Sequence, residues 1–238
     1  MGSSNHPVMP QARLIDAVAV SDDWWLIRLH WHTFPAPGIG QWLWLTLAGH
    51  RVCLPIRDSD ATEGWVAGII PGAQLDQQLL PGQSIDIEGP HGEPIRLETT
   101  ARLILLGEDS GIAPAMALAE RHSGPIQLVI LGGQYGVPAR LAPSRFYIAE
   151  LAQCAIAGAS PLEQHGIASR IALSQERPGV FEGTPAMLLG RYLCELSPTQ
   201  RASVHLVALT PWGQLEALKR GLAADLGHFT GIELPPSA

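Results

Sequence analysis

One stretch of this 238-residue chain sets residues in an order that chemistry can use: Leu105 to Pro114, LLGEDSGIAP, directly after the apolar run ARLI. The order reads as a buried strand, a tight turn and a helix. Backbone N–H groups at such a helix start are where many proteins hold the pyrophosphate of a nucleotide. Gly107 and Gly111 would let the chain approach a ligand closely, and Pro114 suits a helix start. Glu108 and Asp109 stand in the same turn, and ionised carboxylates repel phosphate. A plainer role for Asp109 is to cap the helix, accepting from its free N–H groups, and Ser110 fits that reading too. A capping carboxylate would fill the place a phosphate wants.

Other chemistries find less in the chain. The nine histidines show no strong metal spacing. His30 and His32 share a strand face within an aromatic run, without an evident third ligand, and read as a surface pair. His91 follows a Gly-Pro turn and could touch a ligand or simply meet solvent. No GxSxG elbow or paired acid–base constellation emerges, and Asp58, Asp60 and Glu63 read as a polar loop. Cys53, Cys154 and Cys194 are far apart, odd in number and form no CxxC pair. They point to a reducing compartment rather than a disulfide framework. The first residues lack an apolar signal core and no run is long enough to cross a bilayer, so a cytoplasmic protein without a membrane partner is expected. A net charge of −7 gives no electrostatic reason to expect nucleic acid.

The elements that position these residues fall into two kinds. From about Leu14 to Leu97 the pattern is β, with RLIDAVAV, WWLIRLHW, QWLWLTLA, HRVCLPI, GWVAGII and QSIDIEG as strands between Gly and Pro turns. Six short strands suit a small barrel or sandwich. A further hairpin-like segment is expected near Ile95. Beyond Thr100, ARLILLG, IQLVILGG and ASVHLVAL are continuous apolar runs, as in a parallel sheet covered on both faces. IAPAMALAERH and GQLEALKRGLAADLG have helical spacing, the first from near Pro114. The expected architecture is two domains: an antiparallel β-barrel over 12–99 and a Rossmann-like α/β domain over 100–234. Six of the seven tryptophans lie in the barrel half and charged residues are only 16% of the chain. An exposed aromatic patch would favour a homodimer or docking onto another protein; a core built from wide rings is the alternative.

Taken in order, PGIGQWLWLTLAG, LLPGQSIDIEGPHGEP, GEDSGIAPAMALAE, LGGQYG and VHLVALTPWGQLEAL resemble the ferredoxin reductase-like superfamily, in particular the electron-transfer subunit of dihydroorotate dehydrogenase and related flavin reductases. The resemblance covers nearly the whole chain. It implies a flavin, FAD or FMN, on the barrel and NAD(P)H on the α/β domain. Relatives hold the flavin with an Arg-x-Tyr-Ser type stretch, whose match here is RVCLPIRD. Aligned by the following Ile, Val52, Leu54 and Pro55 replace the arginine, the aromatic and the hydroxyl residue. Arg51 or Arg57 could reach a phosphate instead, although both also read as solvent-side strand residues. The second flavin contact implied falls on Gly72, Ala73 and Gln74, whose backbone N–H groups could meet a phosphate.

On the nucleotide side the resemblance keeps Gly107, Gly111 and Pro114, whereas Ala208-Leu209-Thr210-Pro211 replaces a Cys-Gly-Pro type segment near the nicotinamide. Trp212 could cover a ring face or pack a helix start. No adenosine-end basic residue stands at Gly132–Tyr135 unless Arg140 supplies it. Dihydroorotate-type relatives also bind a [2Fe-2S] cluster through cysteines near the C-terminus; the tail HFTGIELPPSA has none, so no iron-sulfur cluster is expected. Two functions remain open. One is a flavin-dependent oxidoreductase moving electrons between NAD(P)H and an acceptor, with a redox partner. The other is a degenerate, noncatalytic member acting as a binding or regulatory subunit.

Overall fold

Alternation of period two turns the N-terminal half into strands. The computed structural model describes residues 10–31, 36–75, 78–97, 102–222 and 226–236. In it β1 (Gln11–Ser21), β2 (Trp24–His30), β3 (Trp42–Leu47), β4 (His50–Asp60), β5 (Trp65–Pro71) and β6 (Ser84–His91) close a barrel in the order β1-β2-β5-β4-β3-β6. All neighbouring pairs are antiparallel. In β3 the buried Leu43, Leu45 and Leu47 alternate with half-buried Trp42, Trp44 and Thr46, so the leucines fill the interior and the rings face out. Among the described residues no strand forms over 93–97 around Ile95. Its N–H donates to the Ile39 carbonyl at 2.8 Å and its side chain packs into a core beyond the barrel. His32 and the junction expected at residue 100 lie outside the described residues.

The second half is a parallel sheet built on continuous apolar runs. Its elements are β7 (Arg102–Glu108), α1 (Ile112–Arg121), β8 (Ile126–Gly133), the short β9 (Leu141–Pro143) and β10 (Ala157–Ala159), α2 (Ser160–Gln164), β11 (Ser169–Leu173) and β12 (Phe181–Glu182). Then come α3 (Pro185–Glu195), α4 (Pro198–Ala202), β13 (Val204–Pro211), α5 (Leu215–Leu222) and β14 (His228–Leu234). The strand order is β12-β11-β8-β7-β13-β14, with β9 and β10 as a separate pair. The chain moves outward from β7 on one side, then returns to add β13 and β14 on the other. The switch in direction falls between β7 and β13, where open α/β sheets characteristically bind ligands.

Alternation also sorts the two faces of this sheet. Leu103 and Leu105 of β7, with Val207 and Leu209 of β13, pack toward α1 and the barrel. Ile104, Leu106, Leu206 and Ala208 pack toward α3 and α5. Two expectations shift. Helix α1 starts at Ile112 after a 3₁₀ turn over Asp109–Gly111, which leaves Pro114 in its first turn, where a missing N–H costs nothing. HFTGIEL, read from the sequence as a tail, is strand β14, parallel to β13.

The two halves share one hydrophobic cluster at their seam. Trp24, Ile39 and Ile69 of the barrel cluster with Ile112, Met116 and Leu131 of the sheet domain. Polar ties reinforce the seam. The Trp24 indole donates to the Tyr135 carbonyl at 2.9 Å, Arg57 pairs with Glu120 at 2.8 Å, and Arg121 pairs with Asp58. Arg57, read from the sequence as a solvent-side residue, is thus a seam residue.

Candidate functional site

At the end of β7 the alternation continues into the glycine turn. Glu108 falls on the face of α3 and α5, while Asp109 turns to the other side. Asp109 adopts φ +46°, a left-handed conformation that few residues with a side chain tolerate. Its carboxylate accepts the Gln134 N–H at 2.8 Å and lies over Gly133, where a Cβ would collide with it. Neither the 3₁₀ turn nor α1 has a side-chain cap, so the capping role expected of Asp109 does not occur. The carboxylate instead ties the β7 turn to the β8 loop, because the left-handed backbone aims it across the sheet edge. Burial raises its pKa, opposed by the Gln134 hydrogen bond.

The turn glycines are already in use. A Cβ on Gly111 would run into the Leu209 carbonyl, and one on Gly107 would meet the Ala115 methyl at 2.7 Å. Both let the turn pack onto β13 and α1, and the concavity at Gly133 is filled by Asp109. The Ser110 hydroxyl is buried without a partner. The residues present leave no cradle for a pyrophosphate, and the half-buried Asp109 carboxylate stands in its place.

On β4, Val52, Leu54 and Ile56 point into the barrel core, Leu54 fully buried. Alternation puts Arg51, Cys53, Pro55 and Arg57 on the outer face. Arg51 pairs with Glu88 at 2.8 Å and lies 4.7 Å over the Trp44 ring. Cys53 and Pro55 are buried beside Trp44 and Trp42, their partners across β3, and burial pushes the Cys53 thiol up. Trp212 reaches over from the end of β13 to meet Trp42 and Trp44 edge-on, each at 6.4 Å between ring centroids, and His91 stacks on Trp42 at 5.9 Å. These contacts join Trp212 to Trp42 and Trp44 in an aromatic cluster bridging the two halves. Leu54 cannot stack on a flavin from inside the barrel, and the outer face beside Arg51 is occupied by rings and ion pairs. The residues of β4 do not fit a flavin.

The 3₁₀ turn over Gly72–Gln74 is also committed in part. The Gly72 N–H donates to the Asp23 carbonyl at 2.7 Å beneath the Trp25 ring, and Gln74 is buried with an unpartnered amide oxygen. Ala73 lines a polar cavity of about 280 Å³ with Asp23, Gln134, Tyr135 and Arg177.

Across the sheet, at the switch point, a more apolar crevice of about 550 Å³ opens between α3 and α5. Its floor is Glu108 and Thr210; Met187, Leu218 and Leu222 are among its walls. The Thr210 hydroxyl is buried and without a partner. Glu108 is 9% exposed, and burial, with the Asp109 charge beyond it, pushes its carboxyl up to about 7. A carboxyl poised near neutrality can hold a proton or a cation.

The structure therefore distributes the eleven cofactor-side candidates. Gly107, Gly111 and Pro114 share the turn, Thr210 joins Glu108 below α3 and α5, and Trp212 joins the aromatics near Arg51. Ala73 faces the Arg177 cavity, and Leu54 is fully buried in the barrel core. Sequence reasoning missed the α3 wall. Thr184 before Pro185 was its signal, an N-cap followed by proline at the first helical position; Thr184 accepts the Met187 N–H at 3.2 Å. Among the described residues no group of three or more His, Cys, Asp or Glu could hold a metal ion, and no helix is long and apolar enough to cross a membrane.

No protein-family model and no curated protein matches the sequence. Solved structures do match the fold. The cytochrome P450 reductase GcoB of Amycolatopsis superposes with a TM-score of 0.66 at 15% identity, over 100% of this chain and 74% of that one. The flavohem-like FAD/NAD binding domain of nitric oxide dioxygenase from Vibrio cholerae gives 0.63 at 14% identity, over 95% and 98%. Full-length CYP116B46 from Tepidiphilus thermophilus gives 0.59 at 17% identity over 94% of this chain, which spans only 28% of that protein. The fold is ferredoxin reductase-like.

Proposed function

We propose that this chain is a noncatalytic member of the ferredoxin reductase-like fold, a binding or regulatory subunit that does not oxidise NAD(P)H. The observation that carries the reading is the Asp109 carboxylate, which lies over Gly133 and accepts the Gln134 N–H. An N–H free to meet a phosphate is thereby used, and a negative charge is placed where another would have to come. The occupied outer face of β4 supports the same reading for flavin. Ligand binding moves to the switch-point crevice, whose walls are apolar and whose floor is polar.

Electron transfer from NAD(P)H through FAD or FMN is the second reading. It is favoured by the fold's likeness to reductases and by the cavity where Ala73 meets Arg177, a basic group within reach of a phosphate there. A redox protein partner would go with it. The test is an absorption spectrum after incubation with FAD and with FMN and desalting, alongside NADH and NADPH titrations followed by tryptophan quenching. The binding reading expects no retained flavin bands, no saturable quenching and no NADH-driven dye reduction. Flavin retained near stoichiometry together with dye reduction would overturn it.

A further inference from the structure

We propose that the crevice between α3 and α5 binds a small organic ammonium ion, its head on the Glu108 carboxylate and the Thr210 hydroxyl, its apolar body between Met187, Leu218 and Leu222. This rests on the binding reading above, because a dinucleotide lodged at the same strand ends would compete for the space. Three features of the crevice carry it. First, a polar group on its floor is unanswered: the Thr210 hydroxyl has no partner among the described residues although Thr210 is only 1% exposed, and Glu108, 9% exposed, lines the same floor. Buried polar groups are ordinarily satisfied, so an orphan hydroxyl in the lining of a cavity, with a buried carboxylate in the same lining, marks a place for a ligand's own donors. An ammonium carries three N–H donors and no acceptor, which matches two carboxylate oxygens and a hydroxyl oxygen.

Second, the sign of the site selects a cation. Asp109 stands next to Glu108 and adds to its negative field, and no basic side chain lines the crevice among the described residues. An anion would meet the Glu108 carboxylate, with the Asp109 charge close behind it. A cation held by Glu108 forms a charge-assisted hydrogen bond with a largely buried carboxylate. Third, size and lining select an apolar body. A volume of about 550 Å³ lies within the range of small-molecule sites. Met187 is 58% exposed at the mouth, apolar surface that a bound molecule would cover.

The test is calorimetric titration of the full chain with phenethylammonium, and with phenethyl alcohol and phenylacetate as neutral and anionic counterparts. Glu108→Gln and Ala217→Trp are measured in parallel. Ala217 is an exposed lining residue of α5, so a ring there fills the crevice without entering the core. Circular dichroism confirms that each variant is folded. The expected result is one site for phenethylammonium, at least about tenfold tighter than for the alcohol, and no phenylacetate binding. Both variants lose at least about tenfold for the ammonium. Equal affinity for alcohol and ammonium, unchanged binding to folded Glu108→Gln, or no binding to the wild-type chain would overturn the proposal. An NADH titration of the same protein separates the two failures. NADH binding with no ammonium binding sinks the binding reading and this inference together; neither binding sinks only the inference.

Discussion

Replacing Glu108 by glutamine should change how stability depends on pH. Burial and the Asp109 charge move the Glu108 carboxyl from 4.5 to about 7 in the folded chain. Unfolding returns it to its ordinary value, so between those limits the folded chain holds a proton that the unfolded chain has released. The stabilisation is therefore whole below about pH 4.5 and lost as pH rises through about 7. The shift corresponds to roughly 3 kcal/mol; the carboxyl opens onto a wet crevice, and screening leaves roughly 2 kcal/mol. Glutamine keeps the shape and never ionises. Urea unfolding followed by circular dichroism at about pH 5 and about pH 8 reads the difference: the variant should gain roughly 2 kcal/mol on the wild type between the two. Asp109 titrates in both proteins and largely cancels. If wild type and variant lose stability in parallel, to within roughly 0.5 kcal/mol, Glu108 is not the titrating group and the reasoning fails.

Gly111→Ala should destabilise by roughly 2–3 kcal/mol, seen as a lowered urea midpoint, because its methyl enters the Leu209 backbone; an unchanged midpoint would mean that the turn is loose. Leu54→Tyr should cost roughly 1–3 kcal/mol by overpacking the barrel, whereas Arg51→Ala should stay within roughly 0.5 kcal/mol; the reverse order in urea unfolding would place the faces of β4 the other way round. Trp212→Ala removes two edge-on ring contacts and should cost roughly 1–2 kcal/mol, with a shift in tryptophan emission as Trp42 and Trp44 meet water.

The barrel was legible because its signals are local. Strands such as WLWLTL alternate cleanly between Gly and Pro turns, although the same pattern suits a sandwich and closure rests on the pairing of β1 with β6. The runs of β7, β8 and β13 were equally plain, since strands covered on both faces have no polar interruptions. HFTGIEL failed because an edge strand of half-buried residues with a glycine inside looks like a loop until β13 lies beside it. The site was less legible for a sharper reason. Whether a residue of β4 faces in or out changes with a one-residue slip, and aligning RVCLPIRD by its Ile put Leu54 where a ring should stack, although its side chain points inward. The partner of Asp109 lies 25 residues away on another loop, selected by a left-handed φ that the sequence does not advertise. Glu108 and Thr210 come together only because β13 pairs in parallel with β7.

The seam through Trp24, Ile39 and Ile69 has a mechanical consequence. Two lobes that touch only through a linker can swing about it; these two share a packed cluster at their seam, locked by the Trp24 indole and by ion pairs on α1. Swinging them apart would expose part of that cluster, so the chain should melt in one calorimetric step and move as a single body in solution. Molecules would then enter and leave past the helices on the far side of the sheet, and the junction would act as a fixed frame instead of a jaw.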